Sequence, residues 1–351
     1  MMRYTRVYLE SLGYEIAPVV VTSAELEARL EPLYEALHLP VGQLEALTGI
    51  IERRWWEEGY RLSDGAAVAA HRALEAVDLP ARYVDALIYG GVCREYFEPA
   101  TACRVASDLG VGPDAAVFDL SNACLGVLNG IIEIANRIEL GQIRAGLVVA
   151  CETAREINNI MIERMCQVRS MDFFKLSLAT LTGGSGAVAV LLTDGSFSRS
   201  RRRRLLGGVT QTAPQFHELC RWGIEVLKPL APHAFHQFTA TDSAAVLKHG
   251  VELGLRTWHA FLRRLGWVRE RIDRVICHQV GSAHRDSILR TLGIPFEKDY
   301  STFPYLGNMG TVSLPLTAAL AEDREVLQPG DQVAFLGIGS GLNCLMLGLE
   351  W

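Results

Sequence analysis

The sequence predicts an α/β protein that contains two copies of one folding unit. Short apolar runs alternate with helical segments along the chain, a pattern typical of a sheet with helices on both faces. Residues 84–88 (VDALI) match residues 272–276 (IDRVI), and the GSG turns at 184–186 and 339–341 are each followed by an apolar strand. A length of 351 residues accommodates two such units.

Each element of the first unit follows from a local pattern. Apolar runs bounded by turn residues predict buried strands at residues 86–90, 116–120, 146–151 and 187–192. Helical periodicity predicts helices at residues 63–76, 100–109 and 124 to about 139. Strands that alternate with helices favour a mainly parallel sheet.

The two units meet near residue 204, so we expect an N-terminal unit of residues 1–204 and a C-terminal unit of residues 205–351. An insertion at about 152–182, rich in Met, Ile and Phe, has no counterpart in the second unit. Such a segment caps a pocket, buries a contact between subunits or fills the core, and the pattern does not choose among these. The run at 196–204 (SFSRSRRRR) predicts a solvated loop, or a site for a phosphate-bearing substrate or an acidic carrier protein.

Composition excludes several classes of function. The 34 basic and 40 acidic residues give a net charge of −6, which disfavours a nucleic-acid partner. We find no apolar stretch of about 18 residues and no apolar signal core near the N-terminus, so we expect a cytoplasmic protein without a transmembrane segment. The eight cysteines suit a reducing compartment, and none forms a C-x-x-C pair. His233 and His236 come nearest to a metal pair, but the neighbouring prolines indicate a loop, so no metal is expected.

Three residues lie at the ends of predicted elements, where open α/β sheets bind their ligands. Cys124 follows a strand and a short Ser-Asn-Ala turn and is predicted to open an apolar helix, where free amides and the helix dipole favour a thiolate. His278 ends a buried strand of the second unit, and Asn308 lies between Gly307 and Gly310 ahead of a helix. Each residue alone is more often structural; together they occupy equivalent element ends of two matching units.

The motifs NACLG around Cys124, ICHQ around His278 and GNMG around Asn308 resemble those of the Cys-His-Asn condensing enzymes of the thiolase superfamily. Ketoacyl synthase III is the most similar type. This resemblance implies the thiolase fold, with duplicated βαβαβαββ halves in a five-layer αβαβα arrangement, and a homodimer. It also implies that Cys124 is the acylated nucleophile. The backbone amides of Cys124 and Ser340 would then form the oxyanion hole, and His278 and Asn308 would stabilise an enolate.

Further segments resemble the OleA-type acyl-CoA condensing enzymes of long-chain olefin biosynthesis: EPATA at 98–102, LGIGSGLNC at 336–344 and TSAELEARLEPLYEALHL at 22–39. That resemblance implies a non-decarboxylative Claisen condensation of two fatty acyl-CoAs to a 2-alkyl-3-keto acid. Glu98 would be the base that removes the α-proton, and it would reach across the dimer interface. The coenzyme A thioesters are substrates, and no cofactor is implied. An acyl carrier protein or downstream enzymes of the olefin pathway are the further partners implied.

The sequence departs from the ketoacyl synthase III pattern at one place. Gln43 and Leu47 stand where those enzymes carry a tryptophan and an arginine that grip coenzyme A, which leaves open how the nucleotide is held. The nearby segment 53–56 (RRWW) supplies arginines, and its tryptophans are either core or dimer contact. The alternatives are a decarboxylative 3-oxoacyl-carrier-protein synthase using malonyl carrier protein, an acyltransferase on the same scaffold, and a non-catalytic subunit of a heterodimer.

Overall fold

A computed structural model describes residues 2–197, 203–226 and 235–351. His233 and most of the arginine-rich run lie outside the described residues. The strands are β1 (Met2–Arg3), β2 (Tyr8–Ile16), β3 (Val19–Thr22), β4 (Glu52–Trp55), β5 (Ala86–Tyr89), β6 (Ala116–Asp119), β7 (Ala145–Glu152), β8 (Gly186–Thr193), β9 (Arg203–Thr212), β10 (Cys220–Val226), β11 (Phe235–Thr241), β12 (Arg274–Cys277), β13 (Gln332–Gly339) and β14 (Asn343–Glu350). The α-helices are α1 (Ser23–Arg29), α2 (Glu31–Leu37), α3 (Gln43–Thr48), α4 (Leu62–Glu75), α5 (Thr101–Leu109), α6 (Gly126–Glu139), α7 (Arg155–Val168), α8 (Met171–Ser177), α9 (Ser243–Leu265), α10 (Ser282–Leu292), α11 (Phe303–Leu306) and α12 (Ser313–Asp323).

The main strands form two sets of similar order, in which β6 of the first set corresponds only to an isolated bridge, Val275 with Asp299, in the second. The first half is ordered β6-β5-β7-β8-β2, and the second half is ordered β12-β13-β14-β9. The innermost strands of the two sets, β2 and β9, pair with each other over two residues. The duplication predicted from the sequence is therefore visible in the strand order.

Helices and strands alternate in five layers. Helices α6 and α12 lie between the two sets of strands, in a core that includes Ile88 of the first half and Phe335 of the second. On the outer face of the first set, Leu87 packs with α4 and α5. On the outer face of the second set, Leu336 packs with α9 and α10. Since adjacent residues of a strand face opposite layers, both faces of each set are buried, as the continuous apolar runs predicted.

Two expectations about local structure are wrong. The strands are not mainly parallel: β5 pairs in parallel with β6 and β7, but β7 and β8 are antiparallel, as are β13 and β14. The last strand of each half, β8 or β14, runs antiparallel to the strand before it in the chain. Apolar patterning does not specify the direction of such a pairing. Cys124 does not open the long helix either, because it lies in a short 3-10 helix, Ala123–Leu125, that precedes α6.

The predicted insertion folds as α7, α8 and a 3-10 helix, Leu178–Thr182. It packs with α2 and the β10–β11 hairpin, and its last turn reaches the cavity described below. Within the chain the insertion thus both fills a small core and caps a pocket. Trp55 and Trp56 are core residues, 3% and 2% exposed.

Candidate active site

Four residues singled out in the sequence line one cavity of about 260 Å³: Cys124, His278, Asn308 and Ser340. They come from the ends of elements in both halves, so the cavity lies where the two units meet. The rest of the lining is largely apolar and includes Leu178, Leu342 and Ile338. A mostly apolar cavity with a few convergent polar groups is the usual form of a small-molecule site.

Cys124 lies against the turn that contains Ser340. A Cβ atom added to Gly339 would stand 3.5 Å from the backbone nitrogen of Cys124. Burial, with smaller contributions from Cys220 and Glu152, raises the pKa of the Cys124 thiol to about 12. The backbone N–H groups of Cys124 and Ser340 act in the opposite direction by donating toward the sulfur. The expectation of a helix-stabilised thiolate is therefore wrong, because burial outweighs the nearby amides.

His278 follows β12, and its backbone N–H donates to Leu336 O at 3.0 Å. The residue is 5% exposed, and burial together with the neighbouring His284 lowers the pKa of its imidazole to about 3. The ring is therefore neutral near pH 7 and carries one N–H. Gln279 fixes this strand end, since it donates to Cys277 O at 2.7 Å and accepts from Thr302 N–H at 2.9 Å.

Asn308 follows the short helix α11 and is held on both sides of its backbone. Its N–H donates to Thr182 O at 2.8 Å, and its carbonyl accepts from Gly184 N–H at 2.9 Å. Its side-chain Oδ1 accepts from Gly310 N–H at 3.0 Å. Because the oxygen of the amide is committed in this way, the Nδ2 group is the end that can donate to a ligand.

The turns that hold Cys124 and Ser340 are joined by a residue that sequence reasoning missed. Asn343 Nδ2 donates to Asn122 Oδ1 at 3.1 Å and to Ser340 O at 3.3 Å. Asn122 in turn donates to Asn129 Oδ1 at 2.7 Å. Asn343 belongs to the segment LGIGSGLNC, but nothing in one sequence showed that its amide would face the nucleophile turn.

Glu98 does not line the cavity of its own chain. It lies in the loop between β5 and α5, is exposed, and follows Phe97, which is 95% exposed. Both ends of the loop are fixed: Val92 N–H donates to Glu152 Oε1 at 2.8 Å, and Thr101 N–H donates to Asp119 Oδ2 at 3.0 Å. A loop anchored at both ends therefore presents Glu98 outward.

Similarity to known proteins decides the family. An acyl-CoA:acyl-CoA alkyltransferase of Shewanella oneidensis is 56% identical, with both chains covered completely. An acyl-CoA:acyl-CoA alkyltransferase of Xanthomonas campestris pv. campestris is 34% identical over all of both chains. A crystal structure of a Cys→Ser variant of Xanthomonas campestris OleA, with bound lauric acid and lauroyl-CoA, superposes with a TM-score of 0.90 at 34% identity, covering 99% of this chain and 100% of that one.

The chain belongs to the OleA family of acyl-CoA:acyl-CoA alkyltransferases. The C-terminal family of 3-oxoacyl-[acyl-carrier-protein (ACP)] synthase III matches residues 262–351. This OleA-family chain therefore has the thiolase fold expected from its motifs, and it is an acyltransferase-type enzyme of the ketoacyl synthase III kind.

Two further residues of this OleA-family site were missed because their position depends on tertiary structure. Cys220 of the β10–β11 hairpin lines the cavity, with its sulfur 3.4 Å from Thr241 Oγ1. His284 also lines the cavity, and burial lowers the pKa of its imidazole to about 4. No signal in a single sequence distinguishes either residue from a core residue.

The structure also bears on coenzyme A and metal binding. Leu47 lines the cavity, whereas Arg53 is fully buried and donates to Ser23 Oγ at 3.0 Å and Leu181 O at 3.1 Å, so it is committed within the protein.

In the part of the chain that the structure describes, no group of three His, Cys, Asp or Glu residues could hold a metal ion. His236 there contacts Glu225 at 2.7 Å. No described helix is long and apolar enough to cross a membrane.

Proposed function

We propose that this protein joins two fatty acyl-CoA molecules by a non-decarboxylative Claisen condensation and releases a 2-alkyl-3-keto acid. The observation that carries the proposal is the convergence of Cys124, His278, Asn308 and Ser340 on one largely apolar cavity. The activity named for the relatives and the lauroyl-CoA bound by a Xanthomonas OleA variant agree with a long-chain thioester in such a cavity.

In the first half-reaction, Cys124 Sγ attacks the carbonyl carbon of one acyl-CoA. The C–S bond to coenzyme A breaks, the thiol proton passes to the departing coenzyme A sulfur, and an acyl thioester remains on the enzyme. The backbone N–H groups of Cys124 and Ser340 already point toward the sulfur, so they lie where a developing oxyanion needs donors. Covalent acylation divides the condensation into two easier steps.

In the second half-reaction, the carboxylate of Glu98 takes the α-proton of a second acyl-CoA. His278, neutral and with one N–H, and Asn308 Nδ2 donate to the thioester oxygen and stabilise the enolate. The enolate carbon then attacks the acyl carbon on Cys124. A C–C bond forms, and the bond to the Cys124 sulfur breaks to release a thiolate. The proton that Glu98 took from the α-carbon is lost to solvent, and the thiolate takes up one proton, which restores both groups. Hydrolysis of the remaining thioester gives the keto acid and a second coenzyme A.

We propose a homodimer in which Glu98 serves the cavity of the partner subunit. Its exposed position on a loop fixed at both ends supports this arrangement, as does the exposed aromatic ring of Phe97 beside it. We further propose a cytoplasmic location, where thiols stay reduced. The coenzyme A thioesters are substrates, and the steps above need no other cofactor.

The substrates that the enzyme requires distinguish this reaction from its alternatives. Purified protein is supplied with lauroyl-CoA alone, and free thiol and product mass are measured. We expect a keto acid built from two lauroyl units, or the ketone formed from it by loss of CO₂, with two coenzyme A molecules released for each product. If condensation occurs only with malonyl carrier protein and releases CO₂, the protein is a decarboxylative synthase. If the acyl group is instead transferred to an added alcohol or amine, it is an acyltransferase.

Variants separate the two half-reactions. Cys124→Ala should form no acyl-enzyme, as measured by intact protein mass. An acyl adduct on this variant would show that Cys124 is not the nucleophile. Glu98→Gln should acylate, release one coenzyme A for each site and then stop. Glu163→Gln, which changes an exposed glutamate on α7, is the matched control and should condense normally. Condensation at the control rate in Glu98→Gln would refute the role of Glu98.

A further inference from the structure

A buried glutamate joins the loop of Glu98 to the loop of Asn308. Glu152 ends β7 and is 3% exposed. Val92 N–H donates to its Oε1 at 2.8 Å, and Cys93 N–H donates to its Oε2 at 3.1 Å. On the other side, a Cβ atom added to Gly310 would stand 3.4 Å from the carboxyl carbon. The N–H of Thr311 also donates to this carboxylate.

The contacts of Glu152 fix the first residues of the loop and leave its tip free. Farther along, Glu95 Oε1 accepts from Ser63 N–H at 3.0 Å, and the carboxylate of Asp119 receives the first amides of α5. The exposed tip consists of Tyr96, Phe97 and Glu98. Where the chain leaves β5, the carboxylate of Glu152 receives two successive N–H groups, and the Tyr89 hydroxyl donates to Cys93 O at 2.8 Å. These contacts set the direction in which the loop leaves the sheet.

We propose that Glu152 is a positioning residue that sets the place of Glu98 for the condensation step. The inference rests on the proposed function, in which Glu98 removes the α-proton in the cavity of the partner subunit. A carboxylate suits this task, because its two oxygens accept from two successive N–H groups and so fix the orientation of two neighbouring peptide units. A shift of about 1 Å in a catalytic group can lower a rate by about 100-fold.

Burial raises the pKa of Glu152, while the N–H groups of Val92, Cys93 and Thr311 and the Cys93 thiol oppose that rise. A buried carboxyl group is costly unless such donors satisfy it. A purely structural role for the residue would affect both half-reactions, or only the stability of the protein. The positioning role predicts a large loss in the condensation step. Loss of the carboxylate charge would at most favour acylation, because Glu152 contributes to the raised pKa of the Cys124 thiol.

The first experiment compares the half-reactions in Glu152→Gln. The amide keeps the size of the side chain but turns an NH₂ group toward one of the two N–H donors. We expect acyl-enzyme formation from lauroyl-CoA within about 2-fold of wild type and condensation reduced by about 10- to 100-fold. Glu152→Asp, which keeps the charge but is one methylene shorter, covers the case in which the first variant does not fold and should show a smaller loss of the same kind.

Glu10→Gln is the matched control. Glu10 is also buried, 6% exposed, and accepts from Thr193 Oγ1 at 2.7 Å, but it does not touch the loop of Glu98. We expect this control to condense at the wild-type rate. Equal condensation rates in Glu152→Gln and Glu10→Gln, or a loss of acylation that matches the loss of condensation, would overturn the proposal.

Mixed dimers locate the defect. A protomer with Cys124→Ala is paired with a protomer that carries Glu152→Gln, using two affinity tags. The intact Cys124 then receives Glu98 from the protomer whose Glu152 is normal, so we expect about half of the wild-type condensation. If Glu152 acts in its own cavity, this dimer stays inactive and the proposal fails. A parallel dimer of Cys124→Ala with Glu98→Gln tests the underlying function: if that dimer is inactive, the partner-site role of Glu98 is what fails.

Discussion

Removing the Asn343 side chain tests whether the oxyanion-hole turns depend on each other. The Asn343 amide donates two hydrogen bonds, to Asn122 Oδ1 at 3.1 Å and to Ser340 O at 3.3 Å. A neutral hydrogen bond contributes about 0.5–1.5 kcal/mol to stability, so Asn343→Ala should lower the free energy of unfolding by about 1–3 kcal/mol. The variant leaves the N–H groups of Cys124 and Ser340 present but less firmly placed.

The loss of a whole oxyanion-hole donor costs about 100- to 1000-fold in rate. Since Asn343→Ala only loosens the turns, we expect acyl-enzyme formation to slow by about 10-fold, an intermediate effect. The assay is single-turnover release of coenzyme A from lauroyl-CoA, followed with a thiol reagent, beside urea unfolding. The steady-state yield of keto acid per acyl-enzyme should not change.

Asn136→Ala is the control for this experiment. Asn136 accepts from the Tyr4 hydroxyl at 2.8 Å near the far end of α6, away from the cavity. It should lose about 1 kcal/mol of stability and acylate at the wild-type rate. If Asn343→Ala acylates as fast as Asn136→Ala, then the bridge stabilises the protein without organising the oxyanion hole, and the reasoning is refuted.

Three further changes test the site. Burial holds the pKa of His278 at about 3, below the ordinary 6.5, so its contribution to stability is present above pH 6.5 and is lost as the pH falls toward 3. Between pH 7 and pH 4, the free energy of unfolding of wild type should therefore fall by about 3 kcal/mol more than that of His278→Asn, as measured by urea unfolding. Equal decreases in the two proteins would contradict this. Leu178→Trp fills part of the cavity and should lower kcat/KM for lauroyl-CoA more than for hexanoyl-CoA in a competition assay; an unchanged ratio would place the acyl chain elsewhere. In Gly184→Ala the new Cβ would stand 1.9 Å from Leu306 O, so thermal melting should show a loss of about 1–3 kcal/mol together with slower condensation, and a variant as stable as wild type would contradict the packing.

Much of the site could be predicted because its signals are local. A buried apolar run ends at His278, and glycines flank Asn308 in a turn, so the sequence placed both residues at element ends. The match between the two halves then required these ends to meet. The positions of β5, β6, β7 and β8 followed from the same runs to within one residue at each end. The domain boundary near residue 204 stays a prediction.

The properties that could not be predicted depend on what lies across the cavity. The sequence around Cys124 indicates a lowered thiol pKa, but burial and the neighbouring Cys220 raise it. Cys220 comes from a hairpin packed on the insertion, a contact that no local pattern records. Glu152 reads as the polar end of an apolar strand, and only the folded chain shows that its two oxygens receive the amides of another loop.

Substitution of the exposed Phe97 tests whether Glu98 acts in the cavity of a partner subunit. A carboxylate removes an α-proton effectively only when it is held in a dry pocket that raises its basicity, and the loop tip in a single chain is open to water. In the proposed homodimer, a second copy of the chain would supply the burial that the tip lacks. Phe97→Asp should therefore leave the stability of the chain and the acylation of Cys124 unchanged while condensation falls by 10-fold or more. Val41→Asp, at another apolar side chain that is 86% exposed, should leave both half-reactions unchanged. Full condensation in Phe97→Asp would mean that the tip stays in solvent in the working enzyme, and the base would have to be sought within the cavity of the same chain.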